Sequence, residues 1–331
     1  MKYFVTGATG FIGSLLVKKL ADEDNEVVML SRAMTSTDSQ YGKNVSVVRG
    51  DIFNMEVLKR GMEGADAVFH LAALVKPTSR DNTLFYKTNV TGTANIVDAC
   101  EAQGVKRLVV TSTAGTIGYS EDGLPLDETA PYRSDYDTEY ERTKALTEQM
   151  VLNRKDGSTD IMVVNPSRVF GPGKLTVSNS LSKIIKMYCN GIWRIIPGDG
   201  SSKGNYTFVD DVVMGHILAA RNGTDGERYI LGGENISYDT FFEVVARCSG
   251  KNRRLFRIKS ENLKRIARII NTAGSLAGRS PLISDNWIDK YLKDWVLSND
   301  KAINQLGYSV TPFEEVIDRT VSWLRKVRKH E

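Results

Sequence analysis

Cysteine and histidine are scarce in this chain of 331 residues, which contains three of each. Cys100, Cys189 and Cys248 are far apart and odd in number, which argues against a disulfide framework and favours a reducing compartment. Neither residue type occurs in metal-ligand spacing. We therefore expect no metal site.

Long apolar runs and a strong excess of one charge are missing as well. No run reaches the length of a membrane span, and the first residues lack the features of a signal peptide, so we expect a cytoplasmic protein without a membrane span. The formal net charge of +4 is too small to indicate a nucleic-acid partner on its own. The expected partner is a small-molecule substrate.

The first half of the chain alternates between strand and helix patterns. Short apolar runs predict buried parallel strands, and apolar residues three and four apart predict the helices between them. Such alternation indicates right-handed βαβ units, so we predict an α/β fold with a doubly wound parallel (Rossmann) sheet. The predicted strands are Lys2–Thr6, Glu26–Leu30, Val45–Val48, Ala67–Leu71, Arg107–Thr111 and Ile161–Val164. The predicted helices between them cover 55–62, 89–101 and 140–152.

After Asn165-Pro166 the alternation stops. Helices are expected over 177–189 and 210–220, and the final third is mainly helical. We predict a dinucleotide-binding domain over 1–168 and a smaller, mainly helical substrate-binding domain over 169–331. A segment near 205–222 is expected to return to the first domain, with Tyr206–Val209 as a further sheet strand.

Three glycines, Gly7, Gly10 and Gly13, separate the first predicted strand from the first helix. Glycine lets the backbone approach a pyrophosphate, whose charge is stabilised by free N–H groups at a helix N-terminus. The spacing differs from the G-x-G-x-x-G of common dehydrogenases, and a purely conformational role is the alternative. The strand–turn–helix context favours dinucleotide binding.

Tyr140 and Lys144 are four residues apart on a predicted helix and therefore share a face. A nearby lysine cation lowers the pKa of a phenol, which makes a general acid or base near neutral pH. An exposed helix face is the alternative, and Tyr136 offers a competing register. Only Tyr140 has the lysine four residues later.

Hydroxyl residues end the fifth predicted strand at Thr111, Ser112 and Thr113. Ligands of open parallel sheets bind outside the carboxyl ends of the strands, so these hydroxyls are candidate substrate contacts. A turn or capping role is the alternative.

In combination, these motifs resemble the extended short-chain dehydrogenase/reductase family, which includes nucleotide-sugar epimerases and dehydratases, dihydroflavonol reductases and 3β-hydroxysteroid dehydrogenases. The resemblance covers essentially the whole chain. Its motifs are Thr6-Gly7-x-x-Gly10-x-x-Gly13, Gly50-Asp51-Ile52, His70-Leu71-Ala72-Ala73, Asn89-Val90-x-Gly92-Thr93, Thr111-Ser112-Thr113, Tyr140-x-x-x-Lys144, Asn165-Pro166, Phe170-Gly171-Pro172-Gly173, Phe208-Val209-Asp210-Asp211-Val212 and Leu306-Gly307-Tyr308.

The resemblance implies a role for each matching position. Tyr140 would be the acid/base, Lys144 would lower its pKa and hold the nicotinamide ribose, and Thr113 (or its neighbour Ser112) would bond the substrate oxygen. The implied cofactor contacts are Gly7, Gly10, Phe11, Ile12 and Gly13 at the pyrophosphate, Asp51 and Ile52 at the adenine, Leu71, Ala72 and Ala73 along the groove, and Pro166 near the nicotinamide. Asp51 is also a candidate helix N-cap. Homodimers of this family form through the helices around Asn89 and Tyr140.

The end of the second strand indicates which cofactor is preferred. NAD enzymes place an acidic residue there for the ribose 2′-hydroxyl, whereas this chain has Ser31 followed by Arg32. A hydroxyl and a guanidinium would bind a 2′-phosphate that a carboxylate would repel. We therefore predict NADP as cofactor, with NAD the less favoured choice.

The substrate is indicated mainly by a departure from the family pattern. Nucleotide-sugar enzymes of the family carry an arginine before the Val-Asp motif, where this chain has Gly204, and Lys203 lacks the bidentate fork. The sequence therefore predicts an NADP-dependent oxidoreductase that reduces a ketone or aldehyde, similar to dihydroflavonol reductases. A nucleotide-sugar epimerase or dehydratase with tightly bound NAD(P) is the alternative. A non-catalytic dinucleotide sensor is disfavoured by the Thr113, Tyr140 and Lys144 set.

A basic segment spans 251–270 and contains eight lysines and arginines. Leu263, Ile266 and Ile270 follow helical spacing, so the segment could lie on a membrane surface or attract an acidic ligand. A lid or core helix with a solvated basic face is the favoured interpretation. Arg253, Arg254 and Arg257 are candidate contacts for an anionic substrate.

Overall fold

The fold is given by a computed structural model, which describes residues 1–33, 41–75, 81–154, 157–265, 268 and 285–328. The strands are β1 Lys2–Thr6, β2 Glu26–Ser31, β3 Val45–Arg49, β4 Ala67–His70, β5 Arg107–Thr111, β6 Asp160–Pro166, β7 Arg168–Phe170, β8 Ile195–Pro197, β9 Lys203–Phe208, β10 Arg228–Leu231, β11 Glu234–Ser237 and β12 Phe256–Ile258. The helices are α1 Phe11–Asp22, α2 Met55–Met62, α3 Thr83–Phe85, α4 Gly92–Ala102, α5 Glu139–Leu152, α6 Ser180–Cys189, α7 Val209–Asn222, α8 Tyr238–Ser249, α9 Asp285–Leu292 and α10 Phe313–Arg328.

Seven of these strands form one parallel sheet in the order β10-β6-β5-β4-β1-β2-β3. The chain crosses over at β1, which lies between β2 and β4. This is the doubly wound Rossmann arrangement, in which ligands bind at the carboxyl ends of the strands beside the switch point. The predicted fold class is confirmed, and so is each of the six predicted strands of the first half.

Apolar side chains cover both faces of this sheet, because successive residues of a strand point into two different cores. Tyr3 and Val5 of β1 pack with the α1 and α7 side, whereas Phe4 packs with α2 and α4. A parallel sheet covered by helices on both faces needs such nearly continuous apolar strands.

The second half adds two small sheets. β7 pairs in parallel with β9, β11 pairs with β9 in antiparallel fashion, and β8 pairs with β12. A third core, rich in aromatic side chains such as Phe170, Phe241 and Phe313, joins them to α6, α8 and α10. This third core is continuous with the large sheet's helices, because Phe11 of α1 belongs to it.

Two expectations for the second half are wrong in detail. Tyr206–Val209 is not a strand of the large sheet, because β9 lies in the three-stranded sheet and β10 is the strand that returns. The following helix α7 does pack on the large sheet. In the basic segment, 256–258 is strand rather than helix, whereas 260–265, which contains Leu263, is helical as its spacing predicts. Ile266 and Ile270 lie outside the described residues. The domain boundary near residue 168 stays a prediction.

Within the described residues, no helix combines the length and apolar character needed to cross a bilayer.

Candidate active site

The turn between β1 and α1 is tightly packed and presents free donors at the start of a helix. Gly7 adopts a left-handed conformation with φ of 68°, and the Gly10 N–H donates to its carbonyl over 2.9 Å. A methyl group at Gly7 would lie 2.6 Å from the Ala72 nitrogen, and one at Gly13 would collide with the Gly7 carbonyl. No side chain caps the N-terminus of α1. Its free N–H groups therefore suit the pyrophosphate of a dinucleotide.

Two of the predicted pyrophosphate contacts have side chains that belong to the core. Phe11 is buried, with its ring 2.9 Å from where a methyl group at Gly173 would lie, and Ile12 is partly buried beside it. What these two residues can offer a phosphate is their backbone N–H groups.

The end of β2 carries positive rather than negative charge. Ser31 is buried and its Oγ accepts a hydrogen bond from the Ala33 N–H over 3.3 Å. Arg32 is exposed beside it, and Arg49 of β3 is in register with Ser31. A serine hydroxyl with neighbouring guanidinium groups suits a ribose 2′-phosphate.

The two predicted adenine contacts differ in exposure. Asp51 is exposed and accepts a hydrogen bond from the Phe53 N–H over 2.8 Å. The alternative role of Asp51 as an N-cap is wrong, because Asn54 caps α2. Ile52 is buried against Gly92, where a methyl group would collide with it.

The groove stretch 71–75 is held by buried polar side chains to which the sequence alone assigned no role. Thr6 accepts a hydrogen bond from the Ala72 N–H over 3.2 Å and bonds His70 Nδ1 over 2.7 Å, while His70 Nε2 bonds Thr93 over 3.0 Å. Burial, with a smaller effect from the charge of Lys144, lowers the pKa of His70 to about 3. His70 is therefore a neutral connector between β1, β4 and α4, which its apolar sequence context gave no reason to expect.

Asn89 makes a second connection of this kind. It lies in the π-helical segment Tyr86–Thr91 between α3 and α4, and it is fully buried. Its Oδ1 accepts from the Leu74 N–H over 2.8 Å, and its Nδ2 donates to Thr143 over 3.0 Å. The groove is thereby tied to α5.

Thr113 is the hydroxyl that reaches open space at the end of β5. It caps the short turn Ala114–Thr116 by accepting from the Gly115 N–H over 3.2 Å, and it lines a cavity together with Pro166. Ser112 is buried, and its Oγ has no hydrogen-bond partner in the described structure. Thr113 therefore both caps the turn and lines the cavity, and it is better placed than Ser112 to contact a substrate oxygen.

The turn after Thr113 packs directly on α5, which carries Tyr140 and Lys144. A methyl group at Gly115 would lie 2.7 Å from Glu141 Oε1. Tyr136 is not in a helical register with Tyr140, because α5 begins at Glu139 and the Tyr136 hydroxyl accepts from the Arg133 N–H. Tyr140 and Lys144 are one turn apart on α5, as the sequence predicted.

Both side chains of this pair have shifted pKa values. Burial, together with the carboxylates Glu141 and Glu148, raises the pKa of Tyr140. Burial lowers the pKa of Lys144 to about 8, against the opposing charge of Glu148. Lys144 is not among the groups that shift the pKa of Tyr140 here, so its role in lowering that pKa stays a prediction.

Beneath the pair lies a buried network around Glu148. The carboxylate accepts hydrogen bonds from Thr116 and Asn165, each over 2.7 Å, and from Tyr132 over 3.0 Å. It also faces Arg228 Nη1 at 3.4 Å. This network fixes α5 against the ends of β5 and β6, and thereby fixes the position of Lys144.

The cavity beside Thr113 has a volume of about 130 Å³. It contains two cationic side chains, Arg168 and Lys290. Lys290 forms an ion pair with buried Glu141. The described lining is Thr113, Ala114, Gly115, Pro166, Ser167, Arg168, Asn205, Lys290, Tyr291, Trp295 and Leu297.

Arg168 is held differently, by aromatic rings. Its guanidinium lies 5.5 Å from the ring centre of Tyr206, 5.9 Å from that of Tyr238 and 5.2 Å from that of Tyr291. Nη1 donates to the hydroxyls of Tyr206 and Tyr238, each over 3.3 Å. Burial opposes the charge, but the tyrosines outweigh it and keep the pKa of Arg168 above its ordinary value.

The arginines expected at an anionic substrate do not line this cavity within the described structure. Arg253 donates to the Cys189 carbonyl over 3.1 Å, Arg257 pairs with Asp239 at 3.0 Å, and Arg254 stacks on Phe256. That expectation is wrong for the cavity beside Thr113. Arg168, which the sequence did not single out, is the arginine there.

Comparisons with known proteins agree with this architecture. Residues 3–232 match the model of the NAD dependent epimerase/dehydratase family. A Synechocystis sp. protein provisionally named dihydroflavonol 4-reductase is 29% identical over 98% of this chain and 94% of its own length. The 3beta-hydroxysteroid-dehydrogenase/decarboxylase isoform 1 of Arabidopsis thaliana is 30% identical, over 96% of this chain and 78% of that protein.

Among solved structures, MoeE5 in complex with UDP-glucose and NAD superposes with a TM-score of 0.77 at 25% identity, covering 99% of this chain and 100% of that one. The family match covers well over half of the chain. The resemblance to extended short-chain dehydrogenases/reductases is thereby confirmed. The chain belongs to the NAD dependent epimerase/dehydratase family and is an NAD(P)-dependent oxidoreductase of that family.

Proposed function

We propose that this enzyme reduces a ketone or aldehyde of a small or medium organic substrate with NADPH. The observation that carries the proposal is the half-buried phenol of Tyr140, which lies on the helix that packs against the Thr113 turn. A protonated phenol is suited to donate to the alkoxide that develops when a carbonyl carbon receives a hydride. The Synechocystis relative, whose name is that of a reductase, also supports reduction.

A bound nicotinamide dinucleotide would supply the hydride. Thr113 would donate a hydrogen bond that polarises the substrate carbonyl, and Tyr140 would give its proton to the same oxygen. Lys144 would hold the ribose through its buried ammonium group. The described structure shows no hydrogen bond from that group to the protein, which leaves its donors available to a ligand.

The preference for NADP over NAD rests on the end of β2. Ser31, Arg32 and the neighbouring Arg49 offer a hydroxyl and positive charge where a 2′-phosphate would lie. The uncapped N-terminus of α1 would take the pyrophosphate at the other end of the same groove.

The alternative is a nucleotide-sugar epimerase or dehydratase, in which the hydride is removed and returned. One observation favours it: the guanidinium of Arg168 lies against Gly204, the position where nucleotide-sugar enzymes of this family carry their arginine. The similarity to MoeE5, whose structure contains UDP-glucose and NAD, points the same way.

A substrate panel separates the two functions. Purified enzyme is mixed with NADPH or NADH and with aldehydes, ketones, oxo acids, UDP-glucose or UDP-galactose, and the nicotinamide absorbance and products are followed. We expect NADPH to be consumed in proportion to the carbonyl reduced. Conversion of a UDP-sugar without net consumption of the cofactor would contradict the proposal.

Three further predictions come from the sequence and the family resemblance. They are a homodimer formed through the helices around Asn89 and Tyr140, a cytoplasmic location, and the domain boundary near residue 168. Sedimentation at several protein concentrations tests the first of them.

A further inference from the structure

Arg168 brings a charge into the cavity beside Thr113 that the protein does not neutralise. Its Nη2 is buried and has no hydrogen-bond partner in the described structure. In the described structure no carboxylate pairs with the side chain either; it contacts the rings of Tyr206, Tyr238 and Tyr291 and the hydroxyls of the first two. A buried donor without a partner costs free energy unless a ligand supplies the acceptor.

The tyrosine cage fits a side chain that must stay charged without an acid beside it. The faces of the rings attract a cation, and the two hydroxyls occupy only Nη1. Nη2 remains as the free arm of the guanidinium fork. A forked donor of this kind matches the two oxygens of a carboxylate.

The balance of charge around the cavity limits the ligand to one negative charge. Lys290, the other cation of the described lining, is neutralised by its ion pair with Glu141. Arg168 therefore leaves a single net positive charge. A carboxylate balances that charge, whereas a diphosphate would bring further negative charge that no described lining side chain neutralises.

Thr113 and Arg168 line one cavity of about 130 Å³, which limits the distance between the groups that they bind. Arg168 begins β7 two residues after Pro166, the last residue of β6. Two extended residues span about 7 Å. Pro166 and Thr113 line the same cavity. A substrate that touches both Thr113 and Arg168 thus has its carbonyl and its anionic group only a few bonds apart.

We propose that the substrate is an oxo carboxylic acid whose carboxylate is bound by Arg168 while its carbonyl lies at Thr113. This inference rests on the proposed function, because it names the substrate class of the same site. Ser167, on the same stretch between β6 and β7, is a further cavity residue with a buried hydroxyl that has no partner in the described structure. It supplies a second donor for the carboxylate.

The test compares acids with their esters. 2-, 3- and 4-oxohexanoate and their methyl esters are reduced with NADPH by the wild type, Arg168→Met, Arg168→Lys and the control Arg247→Met, an exposed arginine paired with Glu314. We expect the wild type to prefer the best acid over its ester by about 10- to 100-fold in kcat/KM, the range that charge-assisted hydrogen bonds produce. Arg168→Met should lower kcat/KM for the acid much more than for the ester and so lose the preference, Arg168→Lys should keep part of the preference, and Arg247→Met should keep all of it.

An equilibrium measurement makes the result independent of turnover. Hexanoate, hexanamide and UDP are titrated into each NADP⁺-saturated protein. Hexanoate should bind the wild type at least about tenfold more tightly than Arg168→Met, with hexanamide unaffected and NADP⁺ affinity unchanged as evidence of folding.

Each other outcome overturns a defined claim. Equal binding of hexanoate to both proteins, or reduction of ketones and esters with no preference for acids, overturns the carboxylate assignment but leaves the proposed reductase intact. Binding of UDP that is lost in Arg168→Met, without hexanoate binding, replaces the carboxylate with a diphosphate. Absence of any carbonyl reduction, with hexanoate binding still dependent on Arg168, overturns the proposed function alone.

Discussion

Two arginines near the candidate active site are held by opposite means, with Arg228 buried and Arg168 half-buried. Arg228 faces the carboxylate of Glu148 at 3.4 Å and donates to the Glu128 carbonyl over 2.9 Å. Arg168 lies among tyrosines, and one of its nitrogens has no partner in the described structure. A buried charge that the protein pairs serves the fold, whereas one that it leaves unpaired is available to a ligand.

The cofactor side and the substrate side of the site also differ in how their donors are held. On the cofactor side, backbone N–H groups at the glycine turn and a lysine fixed above the Glu148 network present donors on rigid elements. On the substrate side, β7 and α9 bring charged side chains into a cavity. Variants should therefore affect folding, cofactor binding and substrate binding separately.

The largest expected effect is the loss of kcat in Tyr140→Phe without a change in cofactor affinity. Tyr140→Phe removes the proton donor and leaves the ring that packs in the site. We expect kcat to fall about 1000-fold, within the range for general acid catalysis, with an unchanged Kd for NADPH. Tyr136→Phe, in the loop before α5, is the matched control and should keep near-normal kcat. Retention of more than a tenth of the activity by Tyr140→Phe would show that another group donates the proton.

The comparison of the two arginines has a direct test in stability. Arg228→Met leaves the Glu148 carboxylate buried without its cation, and we expect the free energy of unfolding to fall by about 3 kcal/mol. Arg168→Met leaves no carboxylate unpaired, so the free energy of unfolding should change by less than about 1 kcal/mol. Urea unfolding monitored by circular dichroism measures both. Adding Glu148→Gln to Arg228→Met should recover part of the lost free energy of unfolding. Equal losses in Arg228→Met and Arg168→Met would contradict the claim that only Arg228 stabilises the fold.

The cofactor preference should depend on the end of β2. Arg32→Ala removes a guanidinium from the expected 2′-phosphate position, so we expect the affinity for NADPH to fall about tenfold and that for NADH to stay constant. Arg60→Ala, an exposed arginine on α2, is the control. An unchanged preference for NADPH in Arg32→Ala would contradict the prediction.

The smallest effect concerns pH. The pKa of Lys144 is lowered to about 8 by burial, so its positive charge is lost as the pH rises through that value. We expect kcat/KM for NADPH, which reports the free enzyme, to fall about threefold between pH 7.5 and 8.5. Lys144→Arg should move this decline to higher pH. The stability contribution has the opposite sign: deprotonation above pH 8 relieves the cost of burying the charge, so the folded state gains stability as activity declines.

The local parts of the site could be predicted from the sequence. The glycine turn and the Tyr140–Lys144 spacing follow from contacts within a few residues, and the parallel strands follow from apolar runs. Thr113 was distinguished from Ser112 only by the structure, because burial decides which hydroxyl reaches the cavity.

Features that depend on distant contacts could not be predicted. The pattern of Tyr206–Val209 predicts a strand, but which strands pair with it depends on the packing of the aromatic core. The pKa of Tyr140 depends on burial and on Glu148, which is two turns away on the same helix. Arg168 stands out only once Tyr206, Tyr238 and Tyr291 are brought around it.

The contact between Arg168 and Gly204 also has an evolutionary consequence. A side chain at position 204 would meet the guanidinium of Arg168 and the ring of Tyr206, so an arginine gained on β9 displaces the guanidinium of the one on β7 from its present place. Loss of Arg168 alone leaves the cavity with no unpaired cation among the described lining residues. The two positions are therefore coupled, because a side chain at 204 changes where the guanidinium of Arg168 lies. Libraries that aim to convert this enzyme to nucleotide-sugar substrates should vary residues 168 and 204 as a pair.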